Sequence, residues 1–135
     1  MDPQSGNLFA GTDYGVFRSS NRGARWRPVN SGLPGFDSDT RLTRTRVRAL
    51  TILVDTASSQ TYLFAGSDRG AFRSANGGDS WEDVNVALPG GASQNGGAAV
   101  RISSLGLCTS PQSQSTFLIA GTDQGVFRSD DLGAF

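Results

Sequence analysis

Residues 64–74 read FAGSDRGAFRS, and nearly the same eleven residues occur as FAGTDYGVFRS at 9–19 and IAGTDQGVFRS at 119–129. Neighbouring copies are offset by 55 residues on both sides. Two short apolar runs that flank a Gly-Ser/Thr-Asp-x-Gly segment are typical of two strands joined by a tight turn. In such a turn the aspartate bonds its own backbone and the glycine takes a positive φ angle. The sequence therefore predicts a β-hairpin that is repeated three times.

The repeat extends beyond the hairpin and predicts four short strands per unit and no helix. In the second unit we expect strands at 46–54, 62–65, 71–74 and 81–86, with third-unit counterparts of the first two at 100–108 and 117–120. Leu88-Pro89-Gly90 ends the fourth strand, because proline lacks the N–H that a sheet requires. The stretches 32–41 and 90–98, rich in Gly and Ser, connect the units. Four strands repeated at this period are typical of the blades of a β-propeller.

The segment after the third strand is repeated too, as SSNRGARW at 19–26, SANGGDSW at 74–81 and SDDLGAF at 129–135. It resembles the Asp-box, or BNR repeat: Ser/Thr, any residue, Asp, any, Gly, any, Thr, then Trp or Phe. The third side chain accepts turn N–H groups, the glycine permits a positive φ angle, and the aromatic ring anchors the turn on the core. We assign the structural Asp-box residues as Ser19, Asn21, Gly23, Trp26, Ser74, Asn76, Gly78, Trp81, Ser129, Asp131 and Gly133.

The resemblance to Asp-box proteins implies an all-β fold made of propeller blades, each with four antiparallel strands. Asn21 and Asn76 depart from the family's Asp, which keeps the acceptor oxygen but removes the charge, so we expect no calcium ion and no other cofactor. Asp-box propellers occur in sialidases and other glycosidases, in sortilin-type sorting receptors, in photosystem assembly factors and in secreted bacterial proteins. The resemblance thus favours a bacterial, extracytoplasmic protein, and it implies a fold more than an activity.

We treat residues 1–135 as one propeller segment with repeat units 1–41, 42–97 and 98–135. The first unit lacks its first strand and the third lacks its fourth, which leaves about two and a half blades. Propellers close with roughly four to eight blades. We therefore expect further blades as partners, either from a longer parent chain or from identical subunits that assemble into a ring.

Charge and composition exclude several classes of function. Twelve arginines balance twelve acidic residues, and the chain has no lysine and no histidine. The zero net charge gives no reason to expect a nucleic-acid partner, and the lack of histidine removes the Ser-His-Asp and Cys-His catalytic arrangements. No apolar run approaches the ~18 residues of a membrane span. The single cysteine, Cys108, aligns with Leu53 and is expected to be a small core residue.

Two groups of arginines are candidates for binding an anion. The first recurs between Phe and Ser of each third strand: Arg18, Arg73 and Arg128. These guanidinium groups suit a carboxylate or sulfate ligand, but we favour hydrogen-bonded spacers that hold neighbouring turns or blades. The second group is Arg41, Arg44, Arg46 and Arg48. Strand alternation places its last three members on one face, which we expect to be solvated or ion-paired.

Candidate catalytic residues are sparse, and we assign no catalytic, cofactor-binding or metal-binding residue. Glu82 is the one glutamate and lies on an outer strand, while Tyr14 and Tyr62 are the two tyrosines. The hairpin aspartates recur in every unit, which favours turn chemistry because an active site breaks the symmetry of its repeats. They are Asp13, Asp68 and Asp123.

The function that we expect is a non-catalytic interaction or scaffold module that binds a protein or a glycan through loops on one face. The alternative is a fragment of a secreted glycoside hydrolase or sialidase whose catalytic residues lie outside this chain. Such enzymes need paired carboxylates, or a Tyr/Glu pair with several arginines that bind the substrate carboxylate.

Overall fold

The computed structural model describes residues 1–55, 57–85 and 100–131, and all regular structure in these ranges is β-strand. These ranges contain three antiparallel sheets, none of them closed. The first sheet consists of β1 (Leu8–Thr12), β2 (Gly15–Ser19) and β3 (Arg27–Pro28). The second consists of β4 (Val47–Asp55), β5 (Gln60–Ser67), β6 (Gly70–Ser74) and β7 (Glu82–Asp83). The third consists of β8 (Ile102–Thr109), β9 (Thr116–Thr122) and β10 (Gly125–Ser129).

In each sheet, strands that are consecutive in the chain lie side by side. The repeated hairpin has the same register every time: Phe9 lies opposite Arg18, Phe64 opposite Arg73, and Ile119 opposite Arg128. The sequence repeat is therefore also a structural repeat. Among the described residues, no helix is long and apolar enough to traverse a bilayer.

The strand lengths differ from the sequence prediction mainly in the second and fourth strands, and β9 of the third unit is longer than the expected 117–120, with seven residues. The second strand of the middle unit is longer than the expected 62–65, because β5 includes eight residues. The fourth strand is shorter than the expected 81–86, because β7 has only two residues. The cause is Asn85, whose side-chain oxygen accepts the Ala71 N–H at 2.6 Å and so replaces a backbone ladder bond. Residues from 86 to 99, with the expected linker 90–98 and the unit boundary at 97, lie outside the described residues.

The hydrophobic core lies between the sheets and not within one of them. In the first interface, the first sheet and the loop after it pack on the second sheet through Val16, Val29, Leu33, Val47, Leu63, Ala65, Phe72 and Trp81. In the second interface, the second sheet packs on the third through Leu53, Phe64, Ala71, Val84, Val100, Ile102, Leu118 and Ala120. Strand alternation explains how one sheet serves both, since Leu63 of β5 points to the first sheet and Phe64 to the third.

The two interfaces are copies of each other, displaced by one repeat. Adding 55 to the positions of Val16, Val29, Val47, Leu63 and Ala65 gives Ala71, Val84, Ile102, Leu118 and Ala120. Close approach at equivalent places supports the same conclusion. A Cβ atom on Gly11 would lie 2.8 Å from Val47 Cγ1, and one on Gly66 would lie 2.5 Å from Ile102 Cγ2. The second sheet therefore repeats toward the third what the first does toward the second.

The outer faces of the first and third sheets have no such cover among the described residues. Trp26 is 40% exposed, whereas its counterpart Trp81 is 5% exposed, and Val126 is 74% exposed against 1% for Ala71. The expectation that Cys108 is a core residue is wrong, because Cys108 is exposed on the third sheet. The same side-chain position is thus buried or exposed according to whether another sheet packs on it.

Candidate functional site

The turns at 19–26 and 74–81, which the sequence predicts to be Asp-boxes and which we call the first and second Asp-box turns, are held by the same hydrogen bonds. The serine hydroxyl and the asparagine side-chain oxygen each accept a backbone N–H from four residues ahead. These bonds run from Gly23 to Ser19 (2.8 Å), Gly78 to Ser74 (2.9 Å), Arg25 to Asn21 (2.8 Å) and Ser80 to Asn76 (2.9 Å). Gly23 and Gly78 have φ angles of 90° and 92°. Asn21 and Asn76 therefore accept the turn N–H groups that the aspartate of the Asp-box pattern would accept.

The third box and the box aromatics are less uniform. The Ser129 hydroxyl donates to Asp131 at 3.1 Å, while Gly133 lies outside the described residues. Trp81 crosses to the first sheet, where its indole N–H donates to the Val29 carbonyl at 2.8 Å. The expected anchoring on the core is thus seen for Trp81 and not for the exposed Trp26.

Within the described part of the chain, two of the three hairpin aspartates bond to the residue that precedes a neighbouring strand, and not to their own turn as expected. The Asp68 carboxylate accepts the Arg46 N–H at 3.1 Å, and the Asp68 N–H donates to the Arg46 carbonyl at 3.2 Å. Asp123 and Arg101 repeat both bonds, at 3.0 and 3.1 Å. Each aspartate thus fixes the residue before β4 or β8. The Asp13 carboxylate accepts no hydrogen bond within the described part of the chain.

The structure does not bring the three recurrent arginines together, because each is bonded to a different carboxylate. These pairs are Arg18 with Asp79 (2.8 Å), Arg73 with Glu82 (2.7 Å) and Arg128 with Asp130 (2.8 Å). Only the first pair links two sheets, and Arg18 also donates to the Gly77 carbonyl in the second Asp-box turn at 2.9 Å. Arg73 and Arg128 instead lie over the rings of Tyr62 and Phe117.

The second arginine group follows the predicted alternation. Arg44, Arg46 and Arg48 are exposed, while the residues that directly precede them, Thr43, Thr45 and Val47, are buried. The fourth member, Arg41, does not belong to this face. It lines a separate cleft with two other arginines.

We call this cleft the arginine cleft; it has a volume of about 280 Å³ and lies where the first sheet meets the second Asp-box turn. Its lining residues are Arg18, Arg27, Pro28, Val29, Arg41 and Asp79. The lining residues thus include three arginines and one aspartate, whose carboxylate is already bonded to Arg18. The side chains of Arg27 and Arg41 have no hydrogen-bond or ion-pair partner in the described part of the chain.

The arginine cleft exists because the first repeat departs from the second at one cross-strand pair. In the second sheet Arg73 lies opposite Glu82, and the two form an ion pair. In the first sheet Arg18 lies opposite Arg27. Like charges directly opposite each other destabilise a sheet. Arg18 instead forms an ion pair with Asp79 across the interface. Arg27 therefore occupies the position that Glu82 has in the second repeat, but without a partner for its positive charge in the described part of the chain.

Sequence reasoning included Arg18 and Arg41 among its candidates but did not single out Arg27. The signal was present, since Arg27 aligns with Glu82 at the 55-residue offset. A reversal of charge at an otherwise repeated position breaks the symmetry of the repeats. The pairing of Arg27 with Arg18 could be recognised only once the register of β2 and β3 was fixed.

Two carboxyl groups among the described residues have a lowered pKa, and both hold turns. Hydrogen bonds from the Ser58 hydroxyl and the Ala57 N–H lower the pKa of Asp55. Burial opposes the lowering of the Asp2 pKa, but hydrogen bonds from Ser5 and Gln4 outweigh it. Neither carboxyl lines the arginine cleft.

A scan against protein-family models and a search of curated protein sequences found no match to this chain. The relation to Asp-box proteins is therefore a prediction from the sequence motif.

Proposed function

We propose that this chain is a non-catalytic interaction module built from Asp-box propeller blades, and that it binds a carboxylate or sulfate group of a glycan or protein in the arginine cleft. The propeller part of the proposal is supported by the two interfaces, which repeat one packing arrangement at one offset. Sheets that pack face to face through one interface, repeated from each sheet to the next, are suited to a radial array. Further blades, from a longer chain or from identical subunits, would continue that array.

The observation that carries the binding proposal is the pair of unpartnered guanidinium groups, Arg27 and Arg41, beside the paired Arg18. Arginine presents its N–H groups in a planar fork that matches the two oxygens of a carboxylate or sulfate. The cleft holds three positive charges and one negative charge. An anionic group placed there would offset the unfavourable pairing of Arg18 with Arg27.

Three of the acidic residues that a glycosidase could use for acid–base chemistry make other contacts in this structure. Glu82 accepts a hydrogen bond from the Arg73 Nε at 2.7 Å. Asp68 and Asp123 accept hydrogen bonds from Arg46 and Arg101. These two residues precede β4 and β8, the first strands of the second and third sheets, which we call the inner strands. These contacts support structural roles for Glu82, Asp68 and Asp123.

The test is a charge reversal that copies the second repeat into the first, Arg27→Glu. We expect sialylated and sulfated glycans on an array, and an aspartate-rich peptide, to be retained by the unchanged protein. Retention should fall at least about tenfold in the variant, since hydrogen bonds to charged groups contribute about 1.5–3 kcal/mol each. The variant should also be more stable by about 0.2–1 kcal/mol, because an opposite-charge pair replaces a like-charge pair.

The matched control is Arg101→Glu, which makes the same charge change at an exposed arginine outside the arginine cleft. Equal loss of retention in both variants would show a general effect of net charge and would overturn the proposed cleft. Hydrolysis of a glycoside that disappears in a Glu82→Gln variant would overturn the non-catalytic role.

A further inference from the structure

In the second and third sheets an inner strand, β4 or β8, lies beside the strand that is equivalent to β1. In the first sheet the corresponding edge of β1 is open among the described residues. β5 pairs with both β4 and β6, and β9 pairs with both β8 and β10. Among the described residues, β1 pairs with β2 alone. We propose that the free edge of β1 binds an added antiparallel β-strand with the residue pattern of the chain's own inner strands. This surface is separate from the arginine cleft, and the inference does not depend on the anion proposal.

The repeat determines how the added strand would be aligned. Opposite β5, Ile52 faces Leu63, Thr51 faces Phe64 and Leu50 faces Ala65. β8 has the same alignment with β9, where Leu107 faces Leu118 and Leu105 faces Ala120. The counterparts of these β5 residues in β1 are Leu8, Phe9 and Ala10. An added strand would therefore place apolar residues opposite Leu8 and Ala10, with one residue between them opposite Phe9.

A cleft of about 300 Å³ beside Phe9 marks the place where this strand would add its side chains. The cleft lies between the first two sheets and is lined by Met1, Phe9, Leu50, Thr51, Ile52 and Leu63. In the second interface, the counterparts of its apolar lining, Phe64, Leu105 and Leu118, share their cluster with Leu53 of the inner strand β4. An inner strand thus contributes core side chains at the equivalent interface. In the first interface the space is open.

The carboxylate of Asp13, directly after β1, lies where the added strand would begin. Asp68 and Asp123 each exchange two hydrogen bonds with the residue that precedes an inner strand. Their counterpart Asp13 is exposed, and its carboxylate accepts no hydrogen bond among the described residues. Asp13 can therefore accept the N–H that precedes an added strand. An inner strand pairs with the equivalent edge and bonds the equivalent aspartate in both other sheets. At the second interface it also contributes core side chains beside the equivalent of the cleft. The edge, the carboxylate and the cleft therefore fit the same occupant.

The probe is a peptide with the sequence of residues 44–52, RTRVRALTI. Its threonine should lie opposite Phe9 and its isoleucine opposite Leu8. We expect the peptide to slow amide hydrogen exchange in β1 selectively, because added strands protect the backbone groups of the edge they pair with. A leucine in place of the threonine at peptide position 51 should bind more tightly, since that side chain lies over the apolar cleft. A proline in place of the same threonine should abolish the protection, because the residue opposite Phe9 directs its N–H at β1 and proline has no N–H.

Protein variants separate this edge from the rest of the surface. Asp13→Ala should weaken the peptide about tenfold, as expected for loss of a charge-assisted hydrogen bond, while leaving the unfolding midpoint unchanged. Arg27→Glu should leave the peptide's affinity unchanged, so a failure here is distinguishable from a failure of the anion proposal. Protection of β1 that rises with protein concentration alone would identify a second copy as the donor of the strand and would support the acceptor edge. No protection of β1 at millimolar peptide, or equal protection by the proline peptide, would overturn the inference.

Discussion

Trp81 and Trp26 occupy one position of two repeats, but their surroundings differ. Trp81 is buried against the first sheet and donates its indole N–H to the Val29 carbonyl. Trp81→Phe should lower the free energy of unfolding by about 1–3 kcal/mol, because a buried carbonyl loses its partner. Trp26→Phe should change it by less than about 0.5 kcal/mol, as is usual for an exposed side chain. Urea unfolding followed by far-ultraviolet circular dichroism would measure both, and equal effects would contradict the assigned interface.

The motif residues of the turns were easier to recognise in the sequence than the partners that the side chains have in the structure. The acceptor role of Asn21 and Asn76 followed from the motif, because the turn needs a short side-chain oxygen at that position. The partner of Asp68 did not follow, since a carboxylate in a tight turn can bond its own backbone or that of a neighbouring strand. Only the position of Arg46 beside the turn decides between them. The exposure of Cys108 likewise depended on the sheet's neighbours and not on its position in the repeat.

At the scale of the element, a buried asparagine ends the outermost strand of the first two sheets. Asn30 is completely buried; its side-chain oxygen accepts the Val16 N–H at 2.7 Å and its amide donates to the Arg41 carbonyl at 2.9 Å. Asn30→Ala would leave both backbone groups unpaired. We expect a loss of about 2–4 kcal/mol in the free energy of unfolding, since each buried unsatisfied group costs about 1–3 kcal/mol.

The matched control for this change is Asn21→Ala, in an exposed turn. Its side-chain oxygen accepts the Arg25 N–H, and water can replace that bond at the surface. Thermal unfolding of the two variants should therefore give a clearly lower midpoint for the Asn30 change. Similar midpoints would mean that the hydrogen bonds of Asn30 to Val16 and Arg41 do not stabilise the end of β3.

The same asparagine position explains why the hairpins were predicted correctly from the sequence but the end of the fourth strand was not. The hairpins β1–β2, β5–β6 and β9–β10 were expected because two apolar runs flank a turn with glycine. The end of the fourth strand was predicted too late, because polar and apolar residues continue to alternate after Asp83. The side chain of Asn85 takes the place of the backbone there, and an apolar/polar pattern contains no information about which acceptor a given N–H will use. The reversed charge at Arg27 was visible in the sequence but acquired meaning only from its cross-strand partner.

At the scale of the whole molecule, stability should be greatest in the middle sheet. β5 is paired on both edges and covered on both faces, whereas β1 is paired on one edge and covered on one face among the described residues. In a repeat array, stability is close to a sum of each unit's own term and its contacts with neighbours. The second sheet has two such contacts, and the first and third sheets have one each.

Amide hydrogen exchange can measure this difference without any substitution, because the three hairpins have nearly the same sequence and hence similar intrinsic rates. The amides to compare are those of Ala10, Ala65 and Ala120, which face the second strand of each hairpin. We expect the amide of Ala65 to exchange at least about tenfold more slowly than that of Ala10, since sub-global opening exposes the less supported units first. Ala120 should lie between them, because β9 has both strand neighbours but one open face. Equal protection in all three hairpins would show that the sheets open only as one cooperative unit. In that case the uncovered faces would not weaken the first and third sheets, and additive nearest-neighbour packing would be the wrong description of this chain.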